Sequence, residues 1–372
     1  MSAQAEEIRQ AVRRYAAEQL APHAARWDRE KEFPREALKG LAEMGLYGVA
    51  IPEEWGGAGM DYTALAVACE EISAGDCASA TIVAVNNLVA GILSGYGNQT
   101  QKEKFLKPLA QGRMLGAFAL TEPQVGSDAS AITTRAERKG NEYVLNGVKQ
   151  FITSGKNADV AVVFAVTDKG AGKKGISAFL VPTSTPGYVV ARIEDKLGQR
   201  ASDTAQIVFE NCKTEHLLGQ EGAGYRIALA NLESGRINVA AQATGVARAA
   251  LEAAIAYTRE RKSMGKALIE HQAVNFRLAD MATQVEAARQ LYLHAARLRD
   301  AGQPCLKEAS MAKLFASEMA EKVCSDAIQV HGGYGYVSDF PVERYWRDVR
   351  VTKIYEGAND IQRMVIGREL AG

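Results

Sequence analysis

The stretch Arg347-Asp348-Val349-Arg350-Val351-Thr352-Lys353-Ile354-Tyr355-Glu356-Gly357-Ala358-Asn359-Asp360-Ile361 decides how the rest of the chain reads. A cation-rich helical run enters Tyr355-Glu356-Gly357, and a second helix is predicted from Asn359, a residue type whose side chain caps free amides. Glu356 therefore falls on a bend between two helices. A carboxylate there, next to an aromatic ring and a glycine that admits another molecule, suits a base whose pKa must rise above the reference of about 4.3. The same residues also fit a solvated turn carboxylate, and only the surrounding chain separates the two readings.

With 372 residues, 47% hydrophobic and 24% charged, the chain has room for two or three domains or one intimately packed unit. Its 44 basic and 44 acidic residues cancel, so no net field draws a nucleic acid or an anionic membrane. Anionic ligands must be bound locally. No stretch is expected to reach the ~20 uninterrupted apolar residues of a membrane span. Met1 to Leu20 reads as an amphipathic helix with Ile8, Val12, Tyr15, Ala16 and Leu20 on one face. That is neither a secretory signal nor a transit peptide, which points to a mature intracellular chain. Cys69, Cys77, Cys212, Cys305 and Cys324 have no metal-ligand spacing and read as buried small hydrophobes of a reducing compartment; the five histidines are equally dispersed.

Along the chain the texture changes twice. Up to about Arg113 it is helical: Pro34 opens a helix that Gly45 ends, Asp61 caps a run through Ile72, and Asn98 to Gln111 forms another piece. The glycine-rich loop Pro52 to Gly59 lacks the ending of a phosphate-binding loop. From about Leu115 to Asn211 the runs Ala161–Val166, Ile176–Val181 and Ala205–Phe209 are β-branched and aromatic, predicting a compact β-sandwich or barrel. From about Gly222 the chain returns to long helices, Ile227 to Arg261, His271 to Arg299 and Leu306 to Val330.

Four further stretches carry chemistry. Ala119-Leu120-Thr121-Glu122-Pro123-Gln124-Val125-Gly126-Ser127-Asp128 sets two hydroxyls and free amides on a turn that either cradles a ligand or is only a turn. Phe151 and Thr153, two apart, share one side of a strand, where they flank a planar ring or merely pack. Arg261-Lys262-Ser263-Met264-Gly265 and Gln329-Val330-His331-Gly332-Gly333-Tyr334-Gly335 offer a guanidinium and glycines to a diphosphate. Arg236, within Glu233-Ser234-Gly235-Arg236, is a cation on an apolar helix, either functional or on a solvated face.

Together these stretches resemble the acyl-CoA dehydrogenase family, over nearly the whole chain and in the right order. The specific signatures are Leu120 to Asp128, Gln329 to Gly335 followed by Tyr345-Trp346-Arg347-Asp348, and Ile354 to Asn359. The resemblance implies an α+β multidomain fold: an N-terminal helical domain at residues 1–114, a middle β-sandwich or barrel domain at 115–222 and a C-terminal four-helix bundle at 223–372. It implies FAD as cofactor and a homotetramer built as a dimer of dimers. Phe118, Leu120, Thr121, Ser127, Phe151 and Thr153 match positions around the flavin, and Ser127 also touches the thioester. Arg261 and Gln272, with Gln329, Gly332 and Gly333 of a partner subunit, match contacts to the diphosphate and adenosine; Ala358 and Asp360 are further cofactor positions. Glu233, Arg236, Tyr355 and Gly357 match substrate contacts, Arg236 toward the CoA portion. Glu356 matches the catalytic base.

In the implied reaction Glu356 takes the α-proton of a short or medium, straight or branched acyl-CoA thioester while a β-hydride passes to flavin N5, giving a trans-2-enoyl-CoA, with an electron-transfer flavoprotein as acceptor. The enolate would be held by the backbone amide of the base and a flavin ribityl hydroxyl. Three positions depart from the pattern: Ala358 for threonine, Phe151 for tryptophan and Met264 for phenylalanine. Relatives that carry the glutamate on the long helix have it at the position of Gly235, so glycine there is consistent with a base at 356. From Glu71 through Thr100 there is no Lys or Arg, which disfavours a dicarboxylate-derived substrate whose second carboxylate would be unpaired. The similarity is nearest to short-chain and short branched-chain members, in the cytoplasm or a mitochondrial matrix. An acyl-CoA oxidase, a nitroalkane-oxidase-like enzyme (there with aspartate at the base position) and a non-catalytic flavoprotein of the same fold are the alternatives.

Overall fold

The computed structural model describes residues 2–372; Met1, the start of the predicted N-terminal helix, lies outside the described residues. Helix α1 (Ala3–Tyr15) is capped by Ser2, whose hydroxyl accepts from the Ala5 N–H. The chain widens into a π-turn at Ala16–Leu20 and continues as α2 (Ala21–Glu30), with Pro22 in its first turn. The predicted apolar face is the buried one, with Ile8, Val12, Ala16 and Leu20 in the core. Then come α3 (Arg35–Glu43), α4 (Tyr62–Gly75), capped by Asp61 as expected, and α5 (Cys77–Tyr96). Asn98 and Gln101 form a capping box before α6 (Gln99–Gln101) and α7 (Lys107–Ala110).

Helix α5 is by length and mean hydropathy apolar enough to cross a membrane, although Ser79, Thr81, Asn86, Asn87 and Ser94 interrupt its apolar run. Burial accounts for its composition: 78% of its most apolar window lies inside the protein. Its two asparagines are fully bonded. Asn86 donates to the Tyr47 carbonyl and accepts from the Gly116 N–H, while Asn87 donates to Leu46 and Val83 and accepts from Val49.

The middle of the chain forms β1 (Gly116–Ala119), β2 (Arg135–Lys139), β3 (Glu142–Thr153), β4 (Val160–Val166), β5 (Ile176–Pro182), β6 (Tyr188–Ile193), β7 (Thr204–Thr214) and β8 (Leu217–Leu218). They make one eight-stranded sheet in the order β6-β7-β3-β2-β4-β5-β8, with β1 parallel to β4. Between β6 and β8 the described sheet has no pairing that would close a barrel. All of β4 except Val166 is buried, as its uninterrupted apolar run requires.

Helix α8 (Gly224–Glu260) spans the molecule, and from Ser234 to Ala247 every residue is buried. After a small hairpin, β9 (Lys262–Ser263) with β10 (Lys266–Ala267), come α9 (Gln272–Asp300), α10 (Leu306–His331), α11 (Val342–Val349) and α12 (Asn359–Ala371). Helix α8 packs on α10 and α9, and on α4 and α5 of the N-terminal part. One apolar core therefore joins the beginning and the end of the chain.

Candidate active site

The turn between α11 and α12 carries Glu356 at φ 54 and Gly357 at φ 88. Two successive left-handed residues reverse the chain sharply, and the non-glycine one costs roughly 1–2 kcal/mol, so other contacts must hold it. They do. Gln362 Nε2 donates to the Glu356 carbonyl at 3.2 Å and to the Gly357 carbonyl at 2.8 Å, and Lys313 Nζ donates to the latter at 2.9 Å. Asn359, expected to cap α12, does not: Ala358 occupies the cap position, and the buried Asn359 amide accepts from Lys313 and donates to Ser317. A polar side chain reached from α10 is worth more there than a solvated cap.

The Glu356 side chain points at α8. A methyl group on Gly235 would stand 2.4 Å from its Oε2, so the carboxylate lies where only glycine leaves room. That Oε2 is buried and has no hydrogen-bond partner. Burial pushes the Glu356 pKa up to about 7, against the pull of Arg236 and then Lys313. Arg236 is 6% exposed, which rules out the solvated-face reading; Nη1 donates to Ser310 at 3.1 Å and its Nε is unpartnered. Burial lowers its pKa, with Glu356 and Glu233 opposing. Glu233 itself accepts from Arg299 at 3.0 Å and from the Cys305 thiol.

Tyr355 is anchored from below. Its hydroxyl donates to Gln242 Oε1 and accepts from Gln199 Nε2. Gln242 reaches Thr81 at 2.5 Å, Thr81 reaches Gln199 at 2.6 Å, and the Gln199 N–H bonds Asp348. This closed network joins α5, the β6–β7 loop, α8 and the segment before Glu356, fixing the approach to the turn.

The other sequence-selected residues fall in three places. In the first, Phe118 packs on Phe164 at 5.1 Å, the Leu120 carbonyl accepts from Lys149, the Thr121 carbonyl accepts from the Gln150 N–H, and Ser127 is exposed. Glu122 beside them is buried against Lys149 at 2.9 Å; burial alone would raise it, but Lys149 and hydrogen bonds from Thr134 and Thr133 hold it at about 2. In the second, the β3 register shifts between Lys149 and Ile152, and Phe151 takes φ 59 with 62% exposure. A bulge, not plain alternation, thus turns an aromatic ring outward beside Thr153. The nearby Ser154 hydroxyl is buried without a partner. An outward ring next to an unpartnered buried hydroxyl fits a planar, polar-edged group such as flavin.

The third place is a cleft of about 440 Å³ lined by Tyr257, Arg261, His331 and Phe340. Arg261 lies over the Tyr334 ring at 5.8 Å, His331 stacks on Tyr257 at 4.3 Å, and Gln329, Gly332 and Gly333 are exposed in the same segment. Arg261 and the Gln329–Gly333 segment thus lie side by side within the chain. Gln272 is exposed at the start of α9, and Asp360 faces solvent, pairing with Arg363. Glu356, Gly357, Tyr355 and Arg236 form one cluster; Arg261 sits 25 positions along α8 from Arg236, roughly 37 Å away at helical rise.

Sequence reading missed Lys313 and Ser310. A signal for Lys313 was present: it is in helical register with Ala309, Ala316 and Ala320, all fully buried, so a cation stands on an apolar stripe.

Known proteins agree with this arrangement. The acyl-CoA dehydrogenase N-terminal, middle and C-terminal domain families match residues 2–113, 117–212 and 222–371. The mitochondrial short-chain specific acyl-CoA dehydrogenase of Rattus norvegicus is 47% identical over 98% of this chain and 89% of its own length. The structure of butyryl-CoA dehydrogenase from Megasphaera elsdenii superposes with a TM-score of 0.98, at 40% identity over 100% of this chain and 99% of that one. A glutaryl-CoA dehydrogenase from Mycobacterium smegmatis in complex with FADH2 has a TM-score of 0.95 at 32% identity, covering 100% and 95% of the two chains. With all three of its domains matched in order and a buried turn carboxylate against a helical glycine, the chain belongs to the acyl-CoA dehydrogenase family.

Proposed function

We propose that this protein removes the α-proton and β-hydride of a short, saturated or branched acyl-CoA thioester to form a trans-2-enoyl-CoA, with Glu356 as the base. The observation that carries the reading is the unpartnered, buried Oε2 of Glu356, pushed up to about 7 and packed against Gly235. A carboxylate of ordinary pKa is a poor match for a weakly acidic C–H; one raised by burial is a stronger base that is still about half ionised near neutrality. Lys313 and Gln362 hold the turn so that the Glu356 backbone N–H and its carboxylate serve the same thioester, the first binding the carbonyl oxygen and the second taking the proton. Arg236 supplies a fixed positive charge beside the site without donating to the base. FAD, when bound, supplies the two-electron acceptor for the β-hydride.

Thr121, Phe151 and Thr153 are the residues that would flank the flavin ring, and Arg261 with Gln329, Gly332 and Gly333 would receive the diphosphate and adenosine. Separation of Arg261 from Arg236, the cation beside Glu356, by roughly 37 Å along α8 supports a cofactor shared between two copies, one chain holding the ring and its partner the other end. A homotetramer built from such dimers follows, with an electron-transfer flavoprotein taking the electrons. The likeness to short-chain specific relatives supports a short acyl group. Five buried, unpaired cysteines suit a reducing cytoplasm or mitochondrial matrix.

An anaerobic titration of the holoenzyme with saturated acyl-CoAs, read by flavin absorbance, tests the proposal. Butyryl- or isobutyryl-CoA is expected to bleach the wild type and not Glu356→Gln, more strongly than octanoyl-CoA. A wild type bleached by none of them would overturn the assignment of activity.

A further inference from the structure

Lys313 is fully buried, and its ammonium makes two bonds, to the Gly357 carbonyl at 2.9 Å and to Asn359 Oδ1 at 2.8 Å. Both acceptors flank the turn that presents Glu356, one on its last residue and the other at the head of α12. Burying an ammonium costs several kcal/mol unless charge and hydrogen bonds repay it, so an apolar residue would serve packing better at this position. Of its helical neighbours on α10, Ala309 and Ala316 are fully buried alanines, and Ser310 and Ser317 are buried small hydroxyls. Nothing in helix packing therefore asks for lysine there; what asks for it is the left-handed pair Glu356–Gly357 above.

We propose, resting on the reading of Glu356 as base, that Lys313 is a positioning residue: it pins the Glu356–Gly357 turn through Gly357 and Asn359, and its charge sets the proton affinity of the base. The charged groups around the two are few. Glu356 is faced by Arg236 from α8 and Lys313 from α10; Lys313 also feels Arg236 and Glu318, and Arg236 feels Glu233 and Arg368. Burial pushes Lys313 down while Glu356 opposes, and the Lys313 charge pulls Glu356 down in turn, so the protonation of the two is coupled. Arg236 cannot replace this role, because its bond goes to Ser310 and not to the turn.

The test uses holoenzyme with Lys313→Met and Lys313→Gln, and follows the Glu356 carboxyl stretch by infrared difference spectroscopy, assigned as the band lost in Glu356→Gln. In Lys313→Met the protonated-carboxyl band is expected to persist about one pH unit higher than in wild type, since one of two cations near the carboxylate is gone. Turnover at pH 7 should fall about 10–100-fold with KM within about threefold, the signature of a misplaced base and not of lost binding. Lys313→Gln, which keeps a donor but no charge, should recover part of kcat at high pH while leaving the band displaced. Should Lys313→Met fail to fold, the displaced band in Lys313→Gln decides. A wild-type band position and wild-type pH profile in either folded variant would overturn the proposal and leave Lys313 a structural residue. The infrared reading needs no substrate. A wild type inert to every acyl-CoA would sink the proposed reaction and still leave Lys313 open to judgement.

Discussion

At the scale of single residues, the candidate site is a compromise between stability and chemistry. Glu356 binds its proton with a pKa of about 7 when folded and about 4.3 when unfolded. Between those pH values the native state holds more protons than the unfolded one, so stability falls as pH rises, and above 7 the full penalty is present. Glu356→Gln should therefore raise Tm above pH 7, by an amount equivalent to about 1–3 kcal/mol, with the gain vanishing below pH 4.5. In the wild type kcat/KM should decline below pH 7 with unit slope, as the base is protonated. Thermal scans and rate profiles from pH 4 to 9 check both; a Tm gain that is flat with pH would contradict the buried-carboxylate account. Gly235→Ala separates the two effects differently. Alanine favours an interior helical site by about 1 kcal/mol, yet its methyl must displace the Glu356 carboxylate. Unchanged or higher Tm with kcat down about 10–100-fold is expected. The bend at Glu356 was legible from its aromatic and glycine neighbours and the helix start beyond it, whereas the burial of its carboxylate was not. What sequence could not give was its company: Arg236 and Lys313 are brought beside it by helix packing, and neither is its neighbour in the chain.

At the scale of elements, composition foretold the helices and strands better than their irregularities. Asp61 and Pro34 begin helices as read, and the apolar runs at Ala161, Ile176 and Ala205 lie within β4, β5 and β7. The bulge at Phe151 carries no such signature, because its cause is the pairing register of β3 against β7 and not a glycine in β3. Small residues in α8 have a comparable hidden meaning. Gly245 faces α4 so closely that a methyl group would lie 2.1 Å from the Glu70 carbonyl oxygen and 2.2 Å from Ser73 Oγ. Those are backbone and a side chain bonded to the Gln242 carbonyl, neither free to withdraw. Gly245→Ala should thus destabilise by about 2–4 kcal/mol despite its better helix propensity, the reverse of Gly235→Ala. Urea unfolding followed by far-UV circular dichroism measures it; a stabilised variant would mean that α4 and α8 can part without cost.

At the scale of the whole molecule, the order helical, β-rich, helical was visible in the texture of the sequence, whereas the joint that ties the three parts together was not. Arg347 on α11 donates to Asp28 of α2 at 2.8 and 3.1 Å, to Glu343 at 2.7 and 3.0 Å, and to the Leu197 carbonyl of the β6–β7 loop at 3.2 Å. Asp28 and Arg347 are 319 positions apart, and only the closed fold makes them partners. Next to Arg347, Asp348 is pushed up to about 7 by burial, against the pull of Arg344 and the Gln199 N–H. Through Asp348 the joint therefore lies two hydrogen bonds from Tyr355 and a short stretch of chain from the base. Removing Arg347 leaves the Asp28 carboxylate, whose side chain is 11% exposed, without its bidentate cation. A largely buried charge left with only Arg200 at 4.0 Å costs more than the pair contributed, so Arg347→Met should lose about 2–4 kcal/mol and lower Tm by roughly 3–5 °C. The double substitution Asp28→Asn with Arg347→Met removes the stranded charge and should recover part of that loss, a coupling that two unrelated surface changes would not show. Calorimetry of the four proteins in the cycle decides the matter: strictly additive losses would mean that the parts are held together by apolar packing alone and that Arg347 only decorates their junction.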